Sequence, residues 1–564
     1  MKTLAFIKKS SKIEIHSKNL VGDYMKVTVG KDVYEFDTYI RLEDLSKNYE
    51  GVFYAALVNN RLRELTYRVS YNAEVEFLDY SFYDSTRIYA TSMRYLVCLA
   101  FRRIFPDIQI KFSNSISMGI YGRPIEKTIT EEMLNKVVKE MGWIIKQDFP
   151  ILRRQLSIRE ASSFYEKMNM LDKVNTLKYR KERVNVYECY GYRNYMYGYM
   201  VPSTRYLDEY EIHYLDNGFL IQYPRREEKG EIPEFSDSPK FFDVLNEAEQ
   251  FASKLNADMI YKINELVENN KAEEFVYECE EHHNQQLKTL ANDIRSRKSI
   301  RLIAIAGPSS SGKTTFSKRL DITLDDYGIH PIMISIDNFY LHPDKAPKDE
   351  FGKSDLEHIE SLDIELFNNT ILDLIAGKEV RLPIFDFTTK DRTWTAPIKI
   401  DSETPIIIEG IHALNNQLSE MIPNEQKYKI YISPFAQINI DNSNPINLTD
   451  LRLLRRIVRD LQFRNTSPEK TLSMWPSVRR GEYKWIYPHL ENSDFIFNSE
   501  LTYEFSVLKK YAEDALMQID SDSEYFVQAN RLLKFLKYFD EVDSSYVPRN
   551  SLLREFIGGS IFEH

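Results

Sequence analysis

The fold of this chain is decided by the segment RLIAIAGPSSSGKTT at residues 301–315. Its opening residues, Arg301 to Ala306, are largely apolar, which is typical of a strand buried on both faces of a parallel sheet. The residues from Gly307 to Thr314 match the pattern G-x-x-x-x-G-K-T. The helical pattern TTFSKRLDITLDDYG follows and ends at Gly328. A strand, a glycine-rich loop and a helix in this order predict an α/β domain with a phosphate-binding loop.

The residues of this loop predict nucleotide binding. The glycines let successive backbone N–H groups close around phosphate oxygens, and the helix N-terminus adds positive potential. Lys313 supplies a positive charge for the β- and γ-phosphates, and the hydroxyl of Thr314 can ligate Mg²⁺. The predicted ligands are therefore ATP and Mg²⁺. The predicted nucleotide contacts are Gly307, Ser309, Ser310, Ser311, Gly312, Lys313, Thr314 and Thr315.

Two acidic residues follow later strands of the same predicted sheet. Asp337 follows the apolar run at 331–336, and Glu409 follows the apolar run at 405–408. Ligands of such sheets gather at the carboxyl ends of the strands. We therefore expect Asp337 to accept a proton from an attacking hydroxyl and Glu409 to hold Mg²⁺ or its waters. The alternatives are a turn cap for Asp337 and a structurally paired buried carboxylate for Glu409.

The segment LTDLRLLRRIVRD at 448–460 predicts a helix with two distinct faces. One face carries an apolar stripe, and another carries four arginines that repel one another unless an anion is present. We interpret this helix as a lid that clamps phosphate. The alternative is a solvated face neutralised by Asp450 and Asp460. The stripe consists of Leu451, Leu454, Val458 and Leu461, and the arginines are Arg452, Arg455, Arg456 and Arg459.

Composition limits the class of protein. A length of 564 residues predicts about three or four domains. The formal net charge of −11 argues against a general coating of nucleic acid, although it allows a local basic patch. The three cysteines form no CxxC pair, which indicates a reducing compartment without a disulfide framework. No stretch approaches the roughly 18 apolar residues of a membrane span, so we expect a cytoplasmic protein.

The pattern of elements predicts a multidomain α/β protein. Residues 1–82 alternate apolar runs with turns, which predicts a small mixed sheet, and residues 83–224 predict an α+β domain. A charged stretch opens the predicted linker and helical hairpin at 225–297. Alternating strands and helices predict a parallel sheet with helices on both faces at 298–500. Residues 501–564 predict a C-terminal helical segment.

Residues 300–498 resemble the uridine kinase and phosphoribulokinase group of P-loop kinases. The motifs that carry the resemblance, in chain order, are GPSSSGKTT, SIDNFY, LEHIESLD, PIFDFTT, PIIIEGIHAL and DLRLLRRIVRD. The resemblance implies a nucleoside-monophosphate-kinase-like fold and transfer of the ATP γ-phosphate to a primary hydroxyl. It also implies that Asp337 is the catalytic aspartate, that Glu409 serves the Mg²⁺ site, and that the lid arginines are Arg456, Arg459 and Arg464.

The acceptor site departs from that family. In uridine kinases a tyrosine and a later histidine contact the pyrimidine, and the matching positions here are Phe385 and Lys390. A glutamine that contacts the substrate is replaced by Met474, beside Trp475, and both Phe385 and Trp475 remain able to stack on a base. A site with other hydrogen-bond donors rejects the usual substrate. The predicted acceptor is therefore a nucleoside-like molecule, contacted by Asp337, Phe385, Asp386, Lys390 and Arg456.

The N-terminal half shows a second resemblance. Residues 26–82 resemble the TGS domain, a ubiquitin-like module of threonyl-tRNA synthetases, through GKDVYEF and AALVNNRLRELTYRV. Residues 84–224 resemble the editing domain of those enzymes through RIYATSMRYLVCLAFRRIFP and YGYMVPSTRY. The positions of the family's zinc-binding and catalytic side chains hold Thr91, Tyr95, Met196 and Met200, which cannot form that site. We expect a degenerate editing fold that serves binding, regulation or assembly.

Two further features have a structural and a functional interpretation. The many basic residues at 146–183 predict either an RNA-facing surface or a solvated helix face. The pair His282-His283 predicts a solvated helix face rather than a metal cluster, because adjacent residues of a helix point in different directions. The basic residues include Arg153, Arg154, Arg180, Lys181 and Arg183.

Three hypotheses for function remain. The first is a nucleoside kinase, and the second is an RNA-associated nucleotide switch whose synthetase-like half binds RNA. The third is a kinase for another small hydroxylated metabolite, or one regulated by a ligand in the N-terminal half. The kinase resemblance also suggests a homo-oligomer.

Overall fold

The computed structural model describes residues 24–113, 115–180, 183–349, 352–386 and 389–562. Its first part is a five-stranded mixed sheet in the order β2-β1-β7-β4-β5, in which β1 and β7 are parallel. Alternate residues such as Val27 and Val29 are buried, as expected of a sheet with one face on a core. The elements are β1 Met25–Val29, β2 Asp32–Phe36, β3 Ile40–Arg41, α1 Leu42–Ser46, β4 Ala55–Val58, β5 Arg61–Glu64, β6 Arg68–Val69 and β7 Ala73–Leu78.

This sheet confirms the small mixed sheet expected near the N-terminus, as far as the chain is described. Residues 1–23 of the predicted 1–82 domain lie outside the described residues. Asn59 and Asn60 adopt left-handed φ values of 47° and 56° in the turn between β4 and β5. The TGS assignment stays a prediction.

The next part combines two antiparallel sheets with helices, in the orders β10-β11-β12 and β13-β14-β9-β8. The long helix α2 has fourteen buried residues and lies at the centre of this part. The α+β organisation is therefore present, and the editing-like assignment stays a prediction. The elements are α2 Tyr83–Ile104, β8 Ile110–Phe112, β9 Ile120–Pro124, α3 Glu131–Lys146, β10 Leu152–Leu156, α4 Ile158–Lys167, α5 Leu171–Lys178, β11 Val184–Cys189, β12 Tyr192–Asn194, β13 Glu211–Leu215 and β14 Gly218–Gln222.

Three helices, rather than a hairpin of two, connect this half to the kinase region. They are α6 Pro239–Lys254, α7 Ile260–Glu268 and α8 Ala272–Ser296. Asn256 follows α6 and Asn270 follows α7, with φ values of 52° and 56°. This left-handed conformation ends each helix before the next helix begins.

The interpretation of His282-His283 as a solvated face is wrong. The His283 side chain is fully buried, and its Nε2 lies 2.9 Å from the Glu500 carbonyl oxygen. Burial lowers the pKa of His283 well below its usual value. The ring of His282 stacks on Phe251 at 3.9 Å between centroids. Among the described residues, no group of three or more His, Cys, Asp and Glu side chains is arranged to hold a metal ion.

The kinase region is a five-stranded parallel sheet in the order β16-β19-β15-β20-β23, which confirms the predicted parallel sheet. Ile303 and Ile305 of β15 pack into one core, and Leu302 and Ala304 pack into another on the opposite face, so helices cover both faces. The elements are β15 Leu302–Ala306, α9 Lys313–Asp326, β16 Ile332–Ser335, α10 Ile364–Ile375, β17 Pro383–Phe385, β18 Arg392–Trp394, β19 Ile406–Glu409, β20 Lys427–Ser433, β21 Asn439–Asp441, β22 Asn444–Pro445, α11 Leu448–Phe463, α12 Pro468–Gly481 and β23 Phe495–Asn498.

The C-terminal segment contains α13 Glu504–Leu516, α14 Phe526–Leu536 and α15 Arg554–Ile557. Its side chains Leu508, Leu536 and Phe556 are buried in the same cluster as Ile303 and Ile305. The segment therefore completes the core of the kinase sheet and brings α15 close to the phosphate-binding loop. No helix in the described part of the chain is long and apolar enough to cross a membrane.

Candidate active site

The phosphate-binding loop joins β15 to α9 and has no room for side chains at its two glycines. A Cβ atom at Gly307 would collide with the carbonyl oxygen of Ile432. Gly312 has a φ of 89° and lies against Leu552 of the C-terminal segment, so a side chain there would be strained and would clash. The loop backbone thus adopts the path that its sequence predicts.

Helix α11 supports this loop through three arginines. Arg452 Nε donates to the Ser309 carbonyl oxygen at 3.1 Å, and Arg455 Nη1 donates to that of Ser310 at 3.3 Å. Arg456 Nη1 donates to the Ser309 hydroxyl at 2.8 Å. The helix therefore holds the loop as well as facing the site.

This arrangement corrects the interpretation of the four arginines as one phosphate clamp. Arg455 is fully buried and pairs with both carboxylate oxygens of Glu504 at 2.6 and 2.8 Å. Arg452 is buried and pairs with Glu482. Both charges are therefore neutralised by buried partners, and their role is to hold the loop. The predicted apolar stripe is present, with Leu451, Leu454 and Val458 buried and Leu461 half-buried.

The other predicted arginines converge on Asp460. Arg459 Nη2 lies 2.9 Å from Asp460 Oδ1, and Arg456 Nε lies 3.3 Å from Asp460 Oδ2. Arg464 Nε is 3.8 Å from the same carboxylate, and its side chain is 58% exposed. Burial raises the pKa of Asp337 and the charges of Lys313 and Arg464 oppose that shift, while burial lowers the pKa of Lys313 and the charge of Arg459 adds to that shift. These three guanidinium groups therefore surround the predicted site.

The polar atoms of the loop fit phosphate. The Oγ atoms of Ser310 and Ser311 are buried and have no hydrogen-bond partner within the described part of the chain. Lys313 Nζ donates to the carbonyl oxygens of Gly307 at 3.0 Å and Pro308 at 3.3 Å. Burial lowers the pKa of Lys313, although the nearby carboxylates of Glu409 and Asp337 oppose that shift. Buried hydroxyl groups without partners beside a confined ammonium group suit a phosphate ligand.

Several carboxyl groups lie near Lys313, and three of them have a raised pKa. Burial, together with the charge of Asp337, raises the pKa of Glu409 to about 7. Burial also raises the pKa of Asp337, against the effect of Lys313 and Arg464. The third group is Glu357, whose pKa is raised to about 7 by burial. These carboxyl groups are costly to ionise because they are shielded from water. Such a set suits a site in which a bound cation balances the negative charge.

The side chains that could hold Mg²⁺ are the Glu409 carboxylate at the end of β19 and the Thr314 hydroxyl at the start of α9. Ser335 Oγ donates to Glu409 Oε1 at 3.1 Å, which orients that carboxylate. One carboxylate and one hydroxyl are typical of protein sites for Mg²⁺, which keeps several waters and binds phosphate oxygens as well. The donor set therefore fits Mg²⁺ together with a nucleotide.

The predicted acceptor residues occupy the hairpin β17–β18 and the turn after β16. Phe385 is buried, its backbone N–H donates to Asn338 Oδ1 at 3.2 Å, and its ring lies 6.2 Å from that of Tyr340. Asp386 and Lys390 are exposed at the tip of the hairpin, where the Lys390 N–H donates to the Asp386 carbonyl oxygen at 2.7 Å. Phe385 thus lies close to the Asp337 turn, whereas Lys390 lies at the exposed tip of the hairpin.

The hypothesis that Trp475 stacks on a substrate base is wrong. Trp475 is buried in the core, with the Arg452 guanidinium 5.4 Å from its ring centroid. Met474 beside it is half-buried.

Sequence reasoning missed three residues at this site. Arg392 donates to Asp363 Oδ2 at 2.8 Å and to the carbonyl oxygens of Phe339 and Tyr340, so it holds the hairpin against the Asp337 turn. Glu357 lies in the motif LEHIESLD, which is the sequence signal that marks it as a candidate site residue. Glu555 of α15 accepts hydrogen bonds from the Thr315 N–H at 3.3 Å and the Thr315 hydroxyl at 2.9 Å. No motif marks Glu555.

A parallel sheet with this loop, a lysine and converging arginines defines a P-loop phosphotransferase. The model of the phosphoribulokinase and uridine kinase family matches residues 302–505. A uridine kinase of Macrococcus caseolyticus is 31% identical over 197 residues, which is 35% of this chain and 86% of that protein. One of Ureaplasma parvum is 30% identical over 34% of this chain and 85% of that protein, and one of Staphylococcus epidermidis is 29% identical over 35% and 86%.

A solved structure from Bacillus stearothermophilus, described as a possible uridine kinase, is 16% identical, with a TM-score of 0.27 over 38% of this chain and 98% of that one. The chain belongs to the phosphoribulokinase/uridine kinase family through its residues 302–505. It is an ATP-dependent kinase, and its N-terminal half lies outside these matches.

Proposed function

We propose that this kinase phosphorylates a nucleoside at its primary hydroxyl, with Mg·ATP as the donor. The observation that carries the proposal is the grouping of Lys313, Asp337 and Glu409, whose charges influence one another beside the phosphate-binding loop. The uridine kinases to which the chain is similar support a nucleoside, and the buried Phe385 beside the Asp337 turn supports an acceptor with a planar base.

The reaction requires little covalent chemistry from the protein. The acceptor oxygen forms a bond to the γ-phosphorus while the bond from that phosphorus to the β–γ bridging oxygen breaks, which releases ADP. Asp337 accepts the proton that the hydroxyl loses, and a raised pKa makes it a stronger base than an exposed aspartate. Lys313 and the arginines at 456, 459 and 464 stabilise the charge on the transferring phosphoryl group.

The Mg²⁺ site would be formed by Thr314 and Glu409. Bound there, Mg²⁺ supplies charge neutralisation on the β- and γ-phosphates. Ser335 holds the Glu409 carboxylate in place, and Lys313 leaves the carbonyl oxygens of Gly307 and Pro308 to contact phosphate. The finer specificity follows from the hairpin β17–β18, in which Phe385 and Lys390 stand at the positions of the tyrosine and histidine that contact a pyrimidine.

The test is ADP release from the purified full-length protein with Mg·ATP. Nucleosides, ribulose 5-phosphate and pantothenate form the acceptor panel, and the Asp337→Asn variant is the control. Turnover with one nucleoside that is lost in the variant supports the proposal. If turnover occurs only with a non-nucleoside acceptor, the proposed acceptor changes from a nucleoside to another hydroxylated metabolite. If ATP binds but no acceptor supports turnover, the nucleoside kinase proposal is wrong.

A further inference from the structure

A large cavity lies where the N-terminal half, the kinase sheet and the C-terminal helices meet. Its volume is about 1610 Å³, which exceeds the range of roughly 300–1,000 Å³ usual for sites of small ligands. Its wall includes residues of β5, α2, β10, α11 and α14. Thr91 and Met196, two of the positions expected to hold a degenerate catalytic site, also line it. The cavity is distinct from the phosphate-binding loop described above.

The wall of this cavity is basic and rich in tyrosine, although the whole chain carries a formal charge of −11. Of the described residues that line it, ten are arginine and three are lysine, against five acidic residues. Ten more are tyrosine. A basic concave surface in an acidic protein favours a ligand that is a polyanion.

Five of these cations come from elements that pack together at the cavity, since β5 contacts α14 and Arg153 of β10 lies beside Glu64 of β5, and we call these five residues the basic cluster. They come from three segments that are distant in sequence: Arg61 and Arg63 of β5, Arg153 of β10, and Lys534 and Lys537 in and after α14. Burial, followed by the charges of the other four members, lowers the pKa of Lys534. Mutual repulsion of this kind costs stability unless an anion is bound.

The basic cluster has few acidic partners among the described residues. Arg153 lies 3.9 Å from Glu64 at its closest, and Arg63 Nε is buried without an acceptor. By contrast, other arginines of the cavity are neutralised, as Arg531 is by Asp450 at 2.6 and 3.1 Å. The basic cluster therefore brings several cations with few described carboxylate partners to one side of the cavity, near Arg180, which lies over an aromatic ring rather than beside a described carboxylate.

The fold holds these segments together without the help of a ligand. Asn60 Nδ2 donates to the carbonyl oxygens of Ser521 and Ser523, both at 2.8 Å, which joins the β4–β5 turn to the segment before α14. The geometry of the basic cluster is thus fixed by contacts between the two halves of the chain, so that little order has to be gained on binding.

Aromatic rings lie next to the basic cluster. The guanidinium of Arg153 lies 5.2 Å from the ring centroid of Tyr199, and that of Arg180 lies 4.8 Å from the ring of Tyr538. Tyr199 and Tyr538 line the same cavity, and Tyr199 is the more accessible of the two because Tyr538 is buried in the core. Positive charge that alternates with aromatic faces suits a chain of phosphates that carries exposed bases, because bases stack on such faces.

We propose that this cavity binds a single-stranded segment of polynucleotide, with its phosphates on the basic cluster and its bases against the tyrosines. A duplex does not satisfy both features, because it keeps its bases stacked inside and presents mainly its backbone. Of the basic residues predicted at 146–183, Arg153 and Arg180 line the cavity, Arg154 pairs with Glu188 at 3.8 Å, and Lys181 lies outside the described residues.

The test uses the full-length protein, saturated with Mg·ATP so that the kinase site is occupied, and fluorescein-labelled ten-nucleotide RNA. Fluorescence anisotropy gives the affinity at several salt concentrations. Each phosphate contact contributes a slope of about −0.7 in log K against log [salt] for a single strand, which is about fivefold in affinity at 0.1 M salt. The double variant Arg153→Ala, Lys534→Ala is expected to bind about 25-fold more weakly, with a slope that is smaller in magnitude by about 1.4.

Arg154→Ala is the matched control, because it removes the same charge from the neighbouring residue of β10 but lies outside the cavity wall. We expect it to bind as the unmodified protein does. DNA of the same sequence identifies the sugar that the site accepts: tighter binding of RNA assigns an RNA ligand, and equal binding assigns a single strand of either type. Equal loss in Arg153→Ala and Arg154→Ala, or equal binding of a duplex, overturns the proposal.

Two further arms keep the test independent of folding defects in the variants. Ultraviolet cross-linking of 4-thiouridine RNA to the unmodified protein is expected to label the peptide that contains Tyr199, the accessible ring beside Arg153. Labels confined to the kinase loop or the outer surface overturn the proposal. Competition with inorganic polyphosphate and free nucleoside monophosphates completes the test, since binding of these without binding of RNA assigns a small-anion site instead.

Discussion

Glu555 offers the sharpest test of how ATP reaches the loop. Its carboxylate accepts from both the N–H and the hydroxyl of Thr315, in the first turn of α9. The N-terminus of that helix attracts anions, so the carboxylate and a nucleotide phosphate use the same donors. ATP must therefore displace Glu555, and we expect the Glu555→Gln variant, which keeps the shape but removes the charge, to bind ATP more tightly.

The magnitude follows from these two contacts. A hydrogen bond to a charged group contributes about 1.5–3 kcal/mol, and glutamine retains part of the neutral interaction. We therefore expect a net gain of about 1.4 kcal/mol, or roughly tenfold in the dissociation constant of Mg·ATP. The ligand-free variant should unfold at a lower temperature, because Thr315 loses a charged acceptor.

Isothermal titration with Mg·ATP measures the affinity, and a thermal melt measures the stability of the ligand-free protein. Glu541→Gln is the matched control, since it removes the same charge from an exposed residue of the same segment. Unchanged or weaker ATP binding by Glu555→Gln would refute the competition, because it would make the carboxylate a component of the nucleotide site.

Three other results are expected at the kinase site. Asp337→Asn should lower kcat about 10²- to 10⁴-fold with little change in ATP affinity, as measured by ADP release and titration. Burial raises the pKa of Glu409 from 4.5 to about 7, so its protonated form stabilises the ligand-free fold at low pH, and that stability is lost as the pH rises through about 7. Mg·ATP needs the ionised form, so its thermal stabilisation should grow from pH 6 to pH 8, and Glu409→Gln should abolish this growth. Arg392→Ala should lower kcat because the hairpin β17–β18 loses its link to the Asp337 turn, and Arg392→Lys should not restore it, since a lysine cannot bind Asp363 and two carbonyl oxygens together.

Local signals explain what the sequence could predict. The strand before Gly307, the glycine pattern and the helix after it are contiguous, so a single stretch specifies the loop and the parallel sheet. Asp337 and Glu409 stand directly after apolar runs, and the rule that parallel strands end at one edge places both near the loop.

Long-range partners explain what the sequence could not predict. Arg455 looked like a solvent-facing or phosphate-binding residue, but its partner Glu504 lies 49 residues later and buries it. His283 appeared solvated on its own helix, yet Glu500 of a distant segment supplies its hydrogen-bond partner. Glu555 reaches Thr315 across 240 residues. Such partners depend on tertiary packing, which periodicity does not encode.

Helix α11 connects the phosphate-binding loop of the kinase region to the N-terminal half and to the C-terminal helices. At its N-terminus, buried Asp450 pairs with Arg531 of α14 at 2.6 Å and lies 3.5 Å from Arg87 of α2. Two residues later, Arg452 donates to the loop carbonyl of Ser309 and also lines the interdomain cavity.

Helix α11 holds the phosphate-binding loop through some of its side chains and the N-terminal half through another. It cannot shift at one end without moving the other end, because packed interiors transmit displacement. Removal of a buried charge such as Asp450 leaves two arginines without their carboxylate, at a cost of about 3–5 kcal/mol. The pairing of Asp450 with both halves is therefore a physical reason why this kinase and its N-terminal half act as one folded body rather than as domains joined by a linker.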